Sequence, residues 1–157
     1  MDNKATLFSY YKGGLEEFIA DALVIKDTLL KRIISPAAEK LIKDLLDLGI
    51  TIDDTYQHTL DNSAVRHIIK KHGTLKEQDQ GQIPIKEQDF MKIPEIVSSY
   101  DSISTEKNKR GQDVIIYAKT LADGVTFYVE EIRIRRKELA ATTIYKKKKE
   151  NSPTQIE

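Results

Sequence analysis

The chain has 157 residues, of which 39% are hydrophobic and 32% are charged, and this composition supports one folded domain and excludes wholesale disorder. It contains no cysteine, which excludes disulfide scaffolds, zinc–thiolate centres, iron–sulfur clusters and thiol nucleophiles, and which is typical of a reducing cytoplasm. No apolar run reaches the length of a membrane span, and no signal-peptide pattern follows the first residues. The formal net charge is zero, yet residues 131–149 carry 8 basic and 2 acidic side chains. Such a segment either binds phosphate locally or forms a solvated strand edge.

The first half of the chain has the periodicity of helices. Apolar side chains spaced three and four apart predict an amphipathic helix over about residues 14–33. Ser35-Pro36 then predicts an N-cap and first turn for a second helix, which ends at Gly49. A third helix is capped by Asp61-Asn62-Ser63 and ends at Gly73.

The second half changes to the period of two that is typical of strands. A polar loop with a short strand at Gln82 to Ile85 leads to a short helix that begins at Ile93-Pro94. The predicted strands cover residues 114–119, 125–135 and 139–145, with a hairpin turn at Ala122-Asp123-Gly124 and a fourth strand around Ile103. We therefore predict an α+β fold in which N-terminal helices precede a small three- to four-stranded antiparallel sheet.

Two histidines lie on the third predicted helix, at His67 and His72. A spacing of five places them about 140° apart on the helix, so a shared metal ion is not expected unless His72 lies beyond the helix end. Each is either a surface or capping residue or a general acid or base, because imidazole exchanges protons near neutrality.

Hydroxyl side chains occupy the last predicted strand. Thr143 and Tyr145 are two residues apart, so strict alternation places them on one face together with Leu139 and Ala141. They are either packing residues of the strand or hydroxyls that bind a phosphate or transfer a proton.

Basic side chains occupy the other strand ends. Lys119 shares a face with Ile115 and Tyr117, and it is either a solvated lysine or a cation that stabilises charge on a phosphoryl oxygen. Arg133 and Arg135 also share a strand face and could contact phosphate through their guanidinium groups. Taken singly, each of these residues has an ordinary structural explanation.

Short motifs follow one another in a fixed order through residues 60–147. They are Val65-Arg66-His67-Ile68-Ile69-Lys70-Lys71-His72-Gly73, Gly81-Gln82-Ile83, Gln88-Asp89-Phe90, Ile93-Pro94-Glu95-Ile96-Val97, Tyr117-Ala118-Lys119, Tyr128-Val129-Glu130-Glu131-Ile132-Arg133 and Thr142-Thr143-Ile144-Tyr145-Lys146. This series resembles the phage-associated members of the barnase–EndoU–colicin–RelE nuclease group. The resemblance implies helices before a small antiparallel sheet, and a ribonuclease without a metal or other cofactor that serves as a toxin in phage, conjugative or interbacterial conflict.

The resemblance also implies roles for individual residues. A helix histidine would be the acid or base, with His67 favoured over His72. Lys119 would stabilise charge, and Thr143 and Tyr145 would bind substrate through their hydroxyls. Further substrate-binding candidates are Arg66, Arg133 and Arg135.

These expectations divide the chain into a helical segment (1–55), a nuclease-like α+β domain (56–147) and a polar, disordered tail (148–157). We predict a toxin-like, metal-independent endoribonuclease that cleaves RNA, such as tRNA, in its own cytoplasm or in that of a target cell. A cognate immunity protein or antitoxin would be its partner, and no membrane is involved. The alternative is a catalytically inactive relative that binds RNA or protein, and a third hypothesis makes the chain itself an immunity or antitoxin protein.

Overall fold

Helices and strands alternate through the first half of the chain in the computed structural model, which describes residues 8–74 and 81–149. The strands are β1 (Ser9–Tyr10), β2 (Leu30–Pro36), β3 (Gln57–Asp61), β4 (Gln82–Ile83), β5 (Ser102–Lys107), β6 (Asp113–Leu121), β7 (Gly124–Arg133) and β8 (Glu138–Lys147). The α-helices are α1 (Leu15–Val24), α2 (Glu39–Asp47), α3 (Asn62–His72) and α4 (Ile93–Ser99), and a 3₁₀ helix (Glu87–Lys92) precedes α4. Within the described residues, no helix combines the length and apolar character needed to cross a bilayer.

All the strands join one mixed sheet in the order β1-β2-β3-β8-β7-β6-β5, with β4 added at the end of β8. Strands β5 to β8 form an antiparallel meander, β3 lies parallel to β8, and β2 lies antiparallel to β3. Because β3 pairs only with residues 138–140 and β4 only with residues 146–147, the edge of β8 between them is left to other elements. Helix α3 packs against β8 there.

The α+β class and the antiparallel meander are confirmed, but the small sheet preceded by all the helices is wrong. The predicted helix over residues 14–33 ends at Val24, and its last part belongs to β2. Ser35-Pro36 lies at the end of this strand rather than at a helix start, and α2 begins at Glu39. The β-branched pair Ile33-Ile34 favours a strand, and pairing with β1 and β3 outweighs the helical spacing of the apolar residues.

The predicted ends of α3 are confirmed. The Asp61 carboxylate accepts a hydrogen bond from the Ala64 amide at 2.7 Å, and Gly73 follows the last helical residue. The short helix that begins at Ile93-Pro94 is also confirmed. Residues 150–157 lie outside the described residues, so the disordered tail and the proposed domain boundaries stay predictions.

The meander has one face in the core and one face open. Its core face carries Ile115, Tyr117, Tyr128 and Ile144, which are fully buried against the helices. The side chains between them are half-buried or exposed and define what we call the open face, namely Ile116, Ala118, Thr120, Val125, Phe127, Val129, Thr143 and Tyr145. The strand alternation thus separates packing residues from those available to a ligand.

A β-bulge in β8 decides which of its residues reach the open face. Val129 pairs with Thr143, but the next residue of β7 pairs with Ala141, so Thr142 is the extra residue. Ala141 is therefore buried on the core side, whereas Thr143 lies on the open face. The predicted common face is wrong for the set Leu139, Ala141, Thr143 and Tyr145, which the bulge divides into two pairs.

Candidate functional site

Both helix histidines meet the end of β8 in a shallow cavity of about 340 Å³, which we call the histidine cavity. Helix α3, strand β4 and strand β8 supply its walls. The lining residues are His67, Lys71, His72, Gln82, Thr143, Tyr145 and Lys147. The structure thus brings together four of the five residues predicted as catalytic.

Helix α3 reaches this place because it follows β3 without a connecting loop and then runs beside the uncovered edge of β8. Val65 and Ile68 anchor it in the core, while His67 is exposed. At its end the carbonyl of His72 accepts a hydrogen bond from the Ile85 amide at 2.7 Å. A Cβ at Gly73 would lie 2.5 Å from the Ile69 carbonyl oxygen, so this close approach requires glycine and fixes the backbone next to His72.

Aromatic rings continue from the cavity onto the open face. The His72 and Tyr145 ring centroids are 5.7 Å apart, and Tyr145 stacks on Phe127 at 5.1 Å with an interplanar angle of 16°. The Lys147 ammonium lies 5.5 Å from the Phe127 centroid and 6.0 Å from that of Tyr145. A cation and a row of rings therefore adjoin the two imidazoles.

The cavity contains polar groups that can donate or accept further hydrogen bonds. Burial, together with the negative charge of Glu106, raises the pKa of the Tyr145 phenol, so the phenol stays protonated and can donate a hydrogen bond. Within the described residues, Thr143 Oγ1 and Gln82 Oε1 are buried without a hydrogen-bond partner. Such groups cost about 1–3 kcal/mol each when unpaired, and a bound polar group would relieve that cost.

Lys119 lies outside the histidine cavity. It belongs to the core side of β6, where its ammonium donates to the Ser99 carbonyl at 2.7 Å and lies 3.9 Å from the Asp101 carboxylate. The strand alternation places it on the opposite face from Thr143 and Tyr145. The lysines that line the cavity are Lys71 and Lys147.

The three arginines predicted to bind substrate also lie elsewhere. The Arg66 guanidinium donates to the Ala22 and Ile25 carbonyls at 3.2 and 2.7 Å, where it satisfies the end of α1. Arg133 donates to Glu131 at 2.9 Å, and together with Arg135 it lines a second cavity of about 560 Å³ at the far end of β7.

The spacing of two basic cavity residues already relates them to the predicted site residues. Lys71 is four residues after His67 and so shares its helix face, and Lys147 is two residues after Tyr145 and so shares its strand face. The third histidine, His58, was also missed because β3 was not predicted. Its Nδ1 lies 2.7 Å from the Glu130 carboxylate in the core, away from the cavity.

Residues 32–152, well over half of the chain, match the sequence model of a family described as phage-Barnase-EndoU-ColicinE5/D-RelE like nuclease3. The chain belongs to this nuclease family. The matched region starts within β2 and includes every residue that lines the histidine cavity. The resemblance read from the sequence motifs is thereby confirmed, while no curated protein and no solved structure gave a match.

Among the described residues, no group of three or more His, Asp or Glu side chains is arranged to hold a metal ion. The absence of a metal requirement stays a prediction that activity measurements can test.

Proposed function

We propose that this member of the nuclease family is a metal-independent endoribonuclease and that the histidine cavity is its active site. One observation carries the proposal: two imidazoles, a protonated phenol and two ammonium groups line a single open cavity. RNA supplies a 2′-hydroxyl next to each phosphate, and imidazoles are the side chains suited to move its proton near neutral pH.

In the proposed reaction His67 removes the proton from the ribose 2′-OH, and the 2′ oxygen bonds to the adjacent phosphorus. The bond from phosphorus to the 5′ oxygen breaks, and His72 donates a proton to that leaving oxygen. The products are a 2′,3′-cyclic phosphate and a free 5′-hydroxyl. His67 suits the base because it is exposed in the helix body, and His72 is positioned by Gly73 and Tyr145.

Negative charge builds on the phosphoryl oxygens as the new bond forms, and we assign its stabilisation to Lys71 and Lys147. This replaces the role expected for Lys119, whose ammonium is held on the other face by Ser99. Among the described residues that line the cavity there is no carboxylate, so the two lysines supply its charged side chains. The Thr143 hydroxyl and the Tyr145 phenol would hydrogen-bond the phosphate.

The test is cleavage of single-stranded RNA in the presence of EDTA, followed by analysis of the product ends. We expect cyclic phosphate ends, no cleavage when the scissile ribose is 2′-deoxy, and a loss of about 100-fold or more in rate for His67→Ala and for His72→Ala. Lys71→Ala should also lower the rate, whereas Lys70→Ala, an exposed lysine on the same helix outside the cavity, is the matched control.

Intact RNA at high enzyme concentration would refute the nuclease proposal. If RNA then bound with strong salt dependence, the chain would be the inactive, RNA-binding relative instead. Cleavage that continues in a His67→Ala/His72→Ala variant would remove the assigned site.

We also propose a toxin role, with an immunity protein or antitoxin as partner, and this role rests on the family rather than on the cavity. Expression in bacteria should arrest growth, and His67→Ala should relieve the arrest. Growth that is unaffected by an enzyme with full activity in vitro would contradict it.

A further inference from the structure

One cross-strand row of the open face consists of two aromatic residues followed by two small ones. Tyr145 pairs with Phe127, Phe127 pairs with Ala118, and Ala118 pairs with Ser102. Directly paired residues lie about 5 Å apart and point to the same side of the sheet. The size of the side chains therefore falls along the row, from two aromatic rings to the methyl group of Ala118 and the hydroxymethyl group of Ser102.

The geometry of the two rings leaves one ring surface available. Phe127 and Tyr145 are stacked at 5.1 Å and 16°, close to the spacing between neighbouring strands, so the rings stand side by side on the sheet. Tyr145 covers one side of Phe127, and the other side is turned towards β6. Among the described residues, Ala118 is the direct cross-strand neighbour on that side, and its methyl group is too short to cover a phenyl ring, so Phe127 forms the wall of a slot whose floor is Ala118 and Ser102.

We propose that this slot binds an unpaired nucleobase of RNA, stacked on the free side of Phe127. The proposal rests on the nuclease function, because the base would belong to the strand whose phosphate lies in the histidine cavity. Aromatic side chains next to cations bind single-stranded nucleic acid by stacking each base while pairing the backbone charge.

Charge at the slot favours a nucleotide over an apolar peptide side chain. Lys147 lines the histidine cavity and holds its ammonium 5.5 Å from the Phe127 centroid, so it can contact a phosphate attached to a base in the slot. A base within a duplex is stacked and paired, so it cannot enter. The enzyme should therefore act on single-stranded segments, loops and bulges.

A tryptophan reporter tests the slot directly, because the chain contains no tryptophan. In the Phe127→Trp variant we expect emission to be quenched saturably by a single-stranded 2′-O-methyl oligonucleotide, which cannot be cleaved through its 2′ oxygen. The same oligonucleotide annealed to its complement should quench weakly. Adding Ala118→Leu fills the slot and should weaken the oligonucleotide affinity by about tenfold or more.

The matched control is Thr120→Leu, which adds the same side chain to the same strand and face but in the next row. Ser102→Leu, on the exposed outer strand, is the second variant if Ala118→Leu does not fold, as judged by circular dichroism. Equal quenching by duplex and single strand, or unchanged affinity in both slot-filling variants, would overturn the proposal.

These outcomes separate the slot from the nuclease function. Cleavage by the parent protein without quenching of the reporter would leave the nuclease and refute the slot. Quenching without cleavage would support the slot and refute the nuclease.

Discussion

Two neighbouring tyrosines in the core differ in the hydrogen bonds that their hydroxyl groups make. Tyr117 donates to Glu130 at 2.6 Å, and His58 holds the other carboxylate oxygen at 2.7 Å. Tyr128 stacks on Tyr117 at 5.7 Å, but its hydroxyl has no hydrogen-bond partner among the described residues. Burial, with the charge of Glu130, raises the pKa of both phenols well above the ordinary value. Both tyrosines therefore stay neutral, and the close contacts that satisfy the buried carboxylate are made by Tyr117 at one oxygen and by His58 at the other.

Removing these two hydroxyls should therefore have unequal effects. Tyr117→Phe leaves one oxygen of Glu130 unpaired in the core, and we expect it to lower the free energy of unfolding by about 1–3 kcal/mol. Tyr128→Phe removes an unpaired group and should change stability by less than about 0.5 kcal/mol. Urea denaturation of the two variants measures the difference, and equal losses would contradict this account of the cluster.

The end of strand β8 is fixed by one buried lysine. The Lys146 ammonium donates to Asp123 at 2.6 Å and to Asp89 at 2.9 Å, which ties the strand to the β6–β7 turn and to the 3₁₀ helix. Burial alone would lower the pKa of Lys146, but the two carboxylates outweigh it and raise that pKa above 10.5. The same contact lowers the pKa of Asp123 below 3.8.

The pH dependence of stability follows from these directions. Because its pKa is raised, Lys146 contributes its full stabilisation below about pH 10, and this contribution is lost as pH rises through the folded-state pKa. Because its pKa is lowered, Asp123 contributes stabilisation above about pH 4, and this contribution is lost in acid. Lys146→Met should lower the free energy of unfolding near neutrality by about 2–3 kcal/mol and flatten both declines. Thermal melts across pH check this, with the exposed Lys148→Met as control. If Lys146→Met and the parent had the same melting temperature at every pH, Lys146 would not stabilise the end of β8.

The elements that the sequence predicted are those whose signals are local. Asp61 and Gly73 mark the ends of α3, and strict alternation marks β6 and β7. Strand β2 was not predicted because Lys31 is a charged residue in a buried position. The carboxylate that accepts its hydrogen bond belongs to Glu138, which is 107 residues away in the sequence. Lys119 was expected in the site because of the resemblance, and alternation could not correct this, since it groups the side chains of a strand by face without showing which face the helices cover.

At the scale of the molecule, one buried ion pair joins the N-terminal elements to the meander. Lys31 and Glu138 lie 2.8 Å apart with side-chain exposures of 2% and 7%, and they connect β2 to β8 across β3. Helix α1 adds packing against α3, and Arg66 fixes its last carbonyls. We infer that residues 8–55 stabilise the sheet that carries the histidine cavity.

A double-mutant cycle tests that inference and the predicted domain boundary together. Lys31→Met leaves Glu138 buried without its closest cation and should cost about 3 kcal/mol, while the Lys31→Met/Glu138→Leu pair should recover most of it. The exposed ion pair of Lys107 with Asp113 is the control, since Lys107→Met should change stability by less than about 1 kcal/mol. A loss for Lys31→Met no larger than that of the control would favour an independent segment over residues 1–55.

The extra residue Thr142 affects the course of β8 beyond its own position. Removing that one residue would bring Ala141 next to Thr143 and restore regular pairing with β7, so Thr143 and Tyr145 would stay on the open face and Ile144 would stay in the core. A replacement at Thr142 alters one half-buried side chain, and its deletion would remove the local bend of the bulge while the inward and outward side chains of β8 keep their faces. The extra residue therefore sets the local bend and twist of β8, and which side chains face inwards does not depend on keeping it.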